Sequence, residues 1–579
     1  MFIWQLVAFL AGRGAAKSFS GLETSYRFAQ LTDVHIEPFY NPERGHLKGG
    51  VCRVPEAFNK SSCVPFKVEP EAATYPLGRL NCDPPFALLR SVLEHMVHVA
   101  ETEKPDFVMF TGDIPSHQLS CQFHQARTIE MVIEMMADKL KKVAPTWFPA
   151  MGNNDYFPNY NVSMEPNSPW QQFVASIYAR EGVLSGEQLK TFAAGGYYSA
   201  SPRPGLKVIV LNTVVWSQKV LDWNAAPKKH VHHHQDVSEA NLYHGPDAPL
   251  DGSDTSGWVW DEDVASKKIF VDCDARPADP YGQLAWARQE LLEARSSGQR
   301  VIVAGHVPPG NKVGSNNFCQ QHLDDFKHLT QDFADIIEVQ LYGDHSNDEF
   351  RMVWEETPRP RAVSSILVSA GVTPRKHCNP SWRMFEVSKE HQVSDFSQYF
   401  LRLADTDIQL NMDSRWEKLH QLGRDEEVSW KFWQKQYSFR DQYGVGLDPE
   451  ELQELWMALQ RDPGLLRTYV SHMFSQTVGN YDYFDYICDM RYLSEEKNDA
   501  CSARGALLES PPPLELRRAI GPTSLLSSKS DADAADTYGS MHLAVLGASL
   551  TLNLLLGSVV LLMVRRRRRE EAASYVALP

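Results

Sequence analysis

One local pattern occurs five times along the chain, and it limits what the chain can become. Each time, an apolar run ends in a polar tip. Phe28-Ala29-Gln30-Leu31 leads through Thr32 to Asp33-Val34-His35. Phe107-Val108-Met109-Phe110 leads to Thr111-Gly112-Asp113, and Trp147-Phe148-Pro149-Ala150 leads to Gly152-Asn153-Asn154-Asp155. Further on, Val301-Ile302-Val303-Ala304 leads to Gly305-His306, and Val339-Gln340-Leu341-Tyr342 leads to Gly343-Asp344-His345. The runs predict buried strands, and the glycines let the backbone turn tightly past the strand ends. Side chains on a strand alternate, so Asp33 and His35 are expected to point the same way. A carboxylate beside an imidazole suits zinc, iron or manganese. Packing alone does not explain why the tips repeat this grammar.

Taken together, the motifs resemble those of calcineurin-type metallophosphoesterases, within them the acid sphingomyelinase-like phosphodiesterases and the endopolyphosphatases. The resemblance runs from Tyr26 to Cys501. It implies an α/β fold, a four-layer α/β/β/α sandwich with two divalent metals at the strand ends. Zinc is the expected metal, with manganese or iron as alternatives. The resemblance places Asp33 and His35 on the first metal, Asp113 between the two, and Asn153 and His306 on the second. His117, in Thr111-Gly112-Asp113-Ile114-Pro115-Ser116-His117, would orient the phosphate or protonate the leaving group. A metal-bridged hydroxide would then be the nucleophile.

Two departures stand out. Asn154 occupies the place of a histidine that protonates the leaving group in most such enzymes. A neutral amide cannot supply that proton, so His117 or water would have to. The Gly343 segment also replaces the family's Gly-His-x-His, or Gly-His-x-Asn in endopolyphosphatases. Aligned without a gap, Asp344 and Ser346 take the ligand positions; slipped by one, His345 and Asn347 do. The sequence leaves both registers open.

Formal net charge is −16, which argues against nucleic acid as a partner of the whole chain. Residues 1–20 read as a signal peptide. Residues 541–564 are an uncharged apolar run of the ~20 residues needed to span a bilayer. Five arginines follow, Arg565 to Arg569, and they predict a cytoplasmic tail at 565–579. The expected topology is therefore type I, with the bulk of the chain in the lysosomal, vacuolar or endosomal lumen or at the cell surface. Tyr575 to Leu578 resembles a sorting signal read by an adaptor. The nine cysteines are expected to form disulfides in that compartment, with at least one left over and Cys488–Cys501 the favoured local pair. Asn59 and Asn161 begin glycosylation sequons.

The catalytic domain is expected at 24–385, with residues 217–279 inserted. The insertion carries Lys228-Lys229-His230-Val231-His232-His233-His234 and reads as an exposed loop in preference to a metal site. A helix is expected over 84–103, with Asp83 as its cap and Pro84 as its first residue, and another over 128–143. Residues 386–505 are expected to form a mostly helical subdomain with an aromatic core that includes Trp416, Trp430, Trp433, Tyr437 and Tyr443. Residues 506–540 form a stalk. No saposin-like lipid-presenting module precedes the catalytic part, which favours an accessible phosphoester as substrate. Three functions are carried forward: a membrane-anchored phosphodiesterase, an endopolyphosphatase, and a binding ectodomain on a decayed enzyme scaffold.

Overall fold

The computed structural model describes residues 24–42, 51–54, 75–222, 228–231, 257–260, 270–310, 318–403, 429–477 and 483–508. The strands in chain order are β1 (Thr24–Leu31), β2 (Phe107–Phe110), β3 (Thr146–Pro149), β4 (Tyr198–Arg203), β5 (Leu206–Val210), β6 (Lys228–Val231), β7 (Gly257–Trp260), β8 (Arg300–Ala304), β9 (Ile337–Tyr342), β10 (Glu349–Trp354), β11 (Ala362–Val368), β12 (Ser381–Ser388), β13 (Val393–Leu401) and β14 (Trp433–Ser438). The helices used below are α1 (Phe86–Glu103), α2 (Gln122–Val143), α3 (Gln283–Ser296), α4 (Gln320–Asp332), α5 (Pro449–Leu459), α6 (Pro463–Met473) and α7 (Tyr483–Arg491).

The strands form two six-stranded mixed sheets. The first has the order β14-β13-β12-β1-β2-β3, with β1, β2 and β3 parallel and the remaining pairs antiparallel. The second has the order β10-β11-β9-β8-β5-β4, with a parallel centre from β11 to β5. Parallel strands are covered on both faces, which is why the central runs are apolar without alternation; every residue of β2 is buried. Helices α1 and α2 pack together, and α2 lies on β2 and β3. On the second sheet, α3 lies on β5 and β8, and α4, α5 and α7 lie on β10 or β11. The sheets meet directly: Gln30 Nε2 of β1 donates to the Tyr342 carbonyl of β9 at 3.1 Å, and Tyr198 OH of β4 donates to the Pro149 carbonyl of β3 at 3.0 Å. One apolar core runs through both.

Three expectations change. The first helix begins at Phe86 with Pro85 as its N-terminal flanking residue and no side-chain cap; Asp83 is engaged elsewhere, as described below. The second helix starts at Gln122 and so is longer than expected. The region from 386 onward opens with strands: β12 spans the expected boundary, and β13 and β14 complete the first sheet. On β14, Trp433 and Tyr437 are buried while Gln434 and Lys435 are exposed. A spacing of four fits one face of a strand as well as one face of a helix, so the aromatic pattern was ambiguous. The α-helices α5, α6 and α7 follow that strand. In the insertion, β6 and β7 pair as an antiparallel ribbon where a loop was expected.

Disulfides join Cys52 to Cys82, Cys273 to Cys319 and Cys488 to Cys501, the last as expected. Cys378 is buried and lies in none of them. Among the described residues no helix is long and apolar enough to cross a membrane. The expected signal peptide, span, tail, Tyr575–Leu578 motif and Asn59 sequon lie outside the described residues.

His95 of α1 is packed among Trp382, Tyr399 and Trp433, and it accepts a hydrogen bond from Trp382 Nε1 at 3.1 Å. Burial lowers its pKa to about 3. The unfolded chain takes up this proton near the ordinary histidine value, so the stability His95 confers is complete above about pH 6.5 and is lost as pH falls toward 3. The His95→Gln protein should therefore lose Tm less steeply than wild type between neutral and acidic pH. The expected difference in slope approaches about 1.4 kcal/mol per pH unit.

Candidate metal centre

The site is built where parallel strands end. The register of β1 and β2 pairs Leu31 with Phe110, and the pairing continues past both ends. Asp33 N–H donates to the Gly112 carbonyl at 2.9 Å, and Val34 and His35 N–H both donate to the Asp113 carbonyl, at 3.0 and 3.1 Å. The backbone there is not extended. Asp33, His35 and Asp113 have φ of 50°, 43° and 66°. Asp33 and His35 therefore share a pocket through consecutive left-handed turns, and strand alternation is not the cause. Asp344 and Ser346 also have positive φ, 65° and 54°. Non-glycine residues in this region are strained, and such strain gathers at functional sites.

Two close approaches bring the tips together. A Cβ on Gly152 would lie 2.2 Å from both the backbone N and Oδ1 of Asp113, so β2 and β3 can converge only with glycine there. A Cβ on Gly343 would lie 2.2 Å from Thr32 Oγ1 and 2.7 Å from Asp33 Oδ2. This second contact joins the end of β9 in one sheet to the end of β1 in the other.

At the centre is Asp113. Its Oδ2 lies 3.2 Å from His35 Nε2 and 3.3 Å from His306 Nε2. Asp33 Oδ1 lies 3.7 Å from His35 Nε2, and Asp344 Oδ1 lies 3.8 Å from His306 Nε2. Asn153 Oδ1 is 2.9 Å from His306 Nε2. Both imidazoles are fixed from behind: His35 Nδ1 donates to the Pro115 carbonyl at 3.0 Å and His306 Nδ1 to the Thr111 carbonyl at 2.6 Å. That leaves each Nε2 facing the carboxylates, as imidazoles that bind metal are held. Asp33, Asp113 and His306 can bring ligand atoms within 4.8 Å of one another.

The electrostatics calls for cations. Burial opposes a charged imidazole at His35 and His306, yet the neighbouring carboxylates, Asp113 foremost, push both up to about 10. The same histidines hold Asp113 well below the usual carboxylate range against its burial. Asp344 is also held low despite burial, by Lys376, His345 and His306. A pocket that forces protons onto buried imidazoles is one in which divalent ions can take their place.

The surrounding residues fix this arrangement. Thr32 and Ser346 hydroxyls donate to the two Asp33 oxygens at 2.7 and 3.2 Å. Asn154 donates twice to Asp113, from its backbone N–H and from Nδ2, each at 2.8 Å. Asp155 accepts the backbone N–H groups of Gly152, Asp113 and Ile114 at 2.6, 3.2 and 2.7 Å. Burial and Asp113 push the Asp155 pKa up to about 6. Burial, with the Asp344 charge nearby, raises the Tyr160 pKa well above its usual value.

His117 stacks on His35 with ring centroids 4.0 Å apart. Asp83 holds it, accepting its backbone N–H at 2.7 Å and lying 3.0 Å from Nδ1. Glu37 accepts from the Ser116 hydroxyl and from Arg53, which donates on to the His117 carbonyl at 2.8 Å.

The pocket thus gathers Asp33, His35, Asp113, Asn153, His306 and Asp344, with His117 and Asn154 beside them. His345 turns Nδ1 to Glu349 at 3.0 Å, next to Arg351, with its Nε2 3.7 Å from Asp344 Oδ2, and Asn347 Nδ2 donates to Cys378 Sγ. The ungapped register therefore supplies the site's neighbour, Asp344, and the slipped one does not. Asn161 is half-buried and donates from Nδ2 to the Phe157 carbonyl at 2.8 Å. Asp83, Asp155 and Tyr160 were not foreseen as site residues. Asp155 closes the Gly-Asn-Asn-Asp motif and Asp83 follows a bridged cysteine, the only local signals they offered.

Residues 26–259 match the family model described as calcineurin-like phosphoesterase. The chain carries a calcineurin-like metallophosphoesterase domain and is a phosphoric ester hydrolase. Its curated relatives are acid sphingomyelinase-like phosphodiesterases. Sphingomyelinase phosphodiesterase C of Dictyostelium discoideum is 27% identical over 67% of this chain and 75% of its own. Acid sphingomyelinase-like phosphodiesterase 3b of Homo sapiens is 24% identical over 85% and 92%. A cyclic GMP-AMP phosphodiesterase of Mus musculus is 24% identical over 71% and 80%.

Replacing Asp155 with Ala leaves three buried backbone donors without their acceptor. The expected loss is about 3 kcal/mol or more, read as a lower denaturant midpoint in metal-free protein.

Proposed function

We propose that this protein is a membrane-anchored phosphodiesterase with a dinuclear metal centre of the acid sphingomyelinase-like type. The observation that carries this is Asp113, whose one carboxylate oxygen faces the Nε2 atoms of both His35 and His306. Asp33, His35 and Asp113 would hold one metal, and Asp113, Asn153, His306 and Asp344 the other. Zinc fits the mixed nitrogen and oxygen donors, as do manganese and iron. Bound divalent ions supply positive charge to the phosphoryl oxygens and lower the pKa of water.

The chain's own residues do the rest. Asn154 orients Asp113 through its two donors and has no proton to give a leaving group. His117 turns Nδ1 to Asp83, which leaves Nε2 for the substrate. As water adds to phosphorus and the P–O bond to the leaving group breaks, His117 Nε2 delivers the proton the departing oxygen needs. Asp83 positions that ring from a buried site where desolvation raises its own pKa, opposed by Arg375.

The apolar run at 541–564 and the five arginines after it support a type I membrane topology with a cytoplasmic tail and the phosphodiesterase on the luminal or outer side. The Cys52–Cys82, Cys273–Cys319 and Cys488–Cys501 disulfides support an oxidising compartment. In this reading residues 1–20 are a signal peptide, Asn59 and Asn161 are glycosylation sites, and Tyr575 to Leu578 meets a sorting adaptor.

Full-length protein should hold two divalent metals per chain by elemental analysis and hydrolyse bis(p-nitrophenyl) phosphate. Chelation should abolish that activity, and zinc or manganese should restore it. Asp113→Asn should lower it by about a hundredfold or more. Protein that binds no metal and stays inactive after metal addition would instead be a binding ectodomain on a decayed scaffold. Asp83→Asn should slow a substrate with an alkyl leaving group by about a hundredfold and slow nitrophenyl esters, which need little protonation, far less. Equal losses on both would show that Asp83 merely supports the fold.

A further inference from the structure

The two imidazoles that face Asp113 are unequally supplied with partners. Around His306 Nε2 stand three side-chain oxygens: Asn153 Oδ1 at 2.9 Å, Asp113 Oδ2 at 3.3 Å and Asp344 Oδ1 at 3.8 Å. Asn153 is turned for this, since its Nδ2 donates to Asn159 Oδ1 at 2.9 Å and its own oxygen is aimed at the imidazole. Around His35 Nε2, among the described residues, stand two carboxylate oxygens: Asp113 Oδ2 at 3.2 Å and Asp33 Oδ1 at 3.7 Å. Asp113 is common to both sides, so it favours neither.

Ser346 is the residue of the Gly343 segment on the His35 side. Its hydroxyl is buried and donates to Asp33 Oδ1 at 3.2 Å, while the Thr32 hydroxyl donates to Asp33 Oδ2 at 2.7 Å. Both Asp33 oxygens thus already carry a neutral hydrogen-bond donor. A serine hydroxyl used in this way shares the carboxylate's lone pairs and brings neither charge nor a strong ligand atom. The backbone pins it there: the Ser346 carbonyl accepts the Gly371 N–H at 3.3 Å, and a Cβ on Gly371 would lie 3.1 Å from Ser346 Cβ. One cation position therefore offers Asp113, Asn153, His306 and Asp344, and the other offers Asp33, His35 and Asp113.

We propose that the two positions differ widely in affinity, so that the chain stands as a one-ion protein and a second divalent cation switches hydrolysis on. The position at Asn153, His306 and Asp344 keeps its ion. The position at Asp33 and His35 fills only when free metal rises. The inference rests on the dinuclear hydrolase reading above. Each protein donor that is lacking must be replaced by water, and the site with fewer donors holds its ion less tightly. Because Asp113 serves both positions, the first ion also draws on the carboxylate that the second needs. The activity of this chain would then follow the free divalent cation of its compartment, through a serine that stands where a ligand could stand.

The test strips full-length protein with a chelator and equilibrates it in zinc buffers of rising free concentration. Zinc per chain is read by elemental analysis, and hydrolysis of bis(p-nitrophenyl) phosphate is read in the same samples. Asp113→Asn sets the baseline: zinc that survives in it belongs elsewhere, for instance to the histidines at 230–234, and is subtracted. Wild type should fill in two steps with a plateau at one ion per chain. The midpoints should lie about a hundredfold apart, since altering an outer partner alone changes metal affinity by about 10–100-fold. Hydrolysis should be near zero on the plateau and rise with the second step. Ser346→His should move the second midpoint at least tenfold toward the first, and Asp344→Asn should weaken the first step. Should either variant fail to fold, the wild-type titration decides. A single step to two ions, full hydrolysis on the plateau, or an unmoved second midpoint in folded Ser346→His overturns the inequality and leaves the hydrolase reading standing. Uptake that never exceeds one ion, or no hydrolysis with both positions filled, overturns both.

Discussion

Carboxylates from two sheets cannot share a pocket unless their backbones come closer than side chains ordinarily allow. Gly152 and Gly343 are where this happens. Beside Gly152, the Asp113 loop and the Gly152 turn are in near contact, and Asp155 takes the three N–H groups that this crowding leaves inside. Beside Gly343, the end of β9 rests on Thr32 and Asp33 of the opposing sheet. The pairing of the sheets and the position of the charges are thus one constraint: a methyl group at either glycine would have to separate elements that the rest of the core holds together.

The charge pattern follows from the same crowding. Besides the two hydrogen bonds from Asn154, Asp113 is stabilised by positive charge on its neighbours, and without bound cations the imidazoles take protons to supply it. Farther from the centre, buried charge is matched side chain to side chain. Arg53 meets Glu37, and Arg383 together with Tyr437 meets Asp348, tying β12 and β14 to the segment that follows Asp344. Removing one member of such a pair costs more than the pair contributes, because the other is left buried and alone. The network therefore sets geometry more than it adds stability.

The strand tips were readable because apolar run, glycine and polar residue each have a separate physical signature that coincides at those points. Asp33, His35, Asp113, Asn153 and His306 were located that way. The Gly343 segment was not decided, because a register shift of one residue changes no composition; what separates the two frames is long-range contact, Asp344 facing His306 and Ser346 facing Asp33 while His345 and Asn347 meet Glu349 and Cys378. Asp83 was misjudged because an aspartate before two prolines looks like a helix cap, and its true partner lies 34 residues away at His117. The aromatic stretch through Trp433 and Tyr437 was read as helical, but those two residues, four apart, lie on one face of β14. Long-range hydrogen bonds and ambiguous spacings were what local pattern could not carry.

The bridge between Cys52 and Cys82 has a bearing beyond loop closure. Arg53 and Asp83 directly follow the two bonded residues, and they take hold of the His117 segment by its carbonyl and its amide respectively. A reductant that opened this link would free the two grips from each other and leave untouched the strand ends whose carboxylates and imidazoles could hold metal ions. Ion capture and release of the departing alcohol would then fail independently, so a chain made in a thiol-rich compartment could be fully metallated and still turn over poorly.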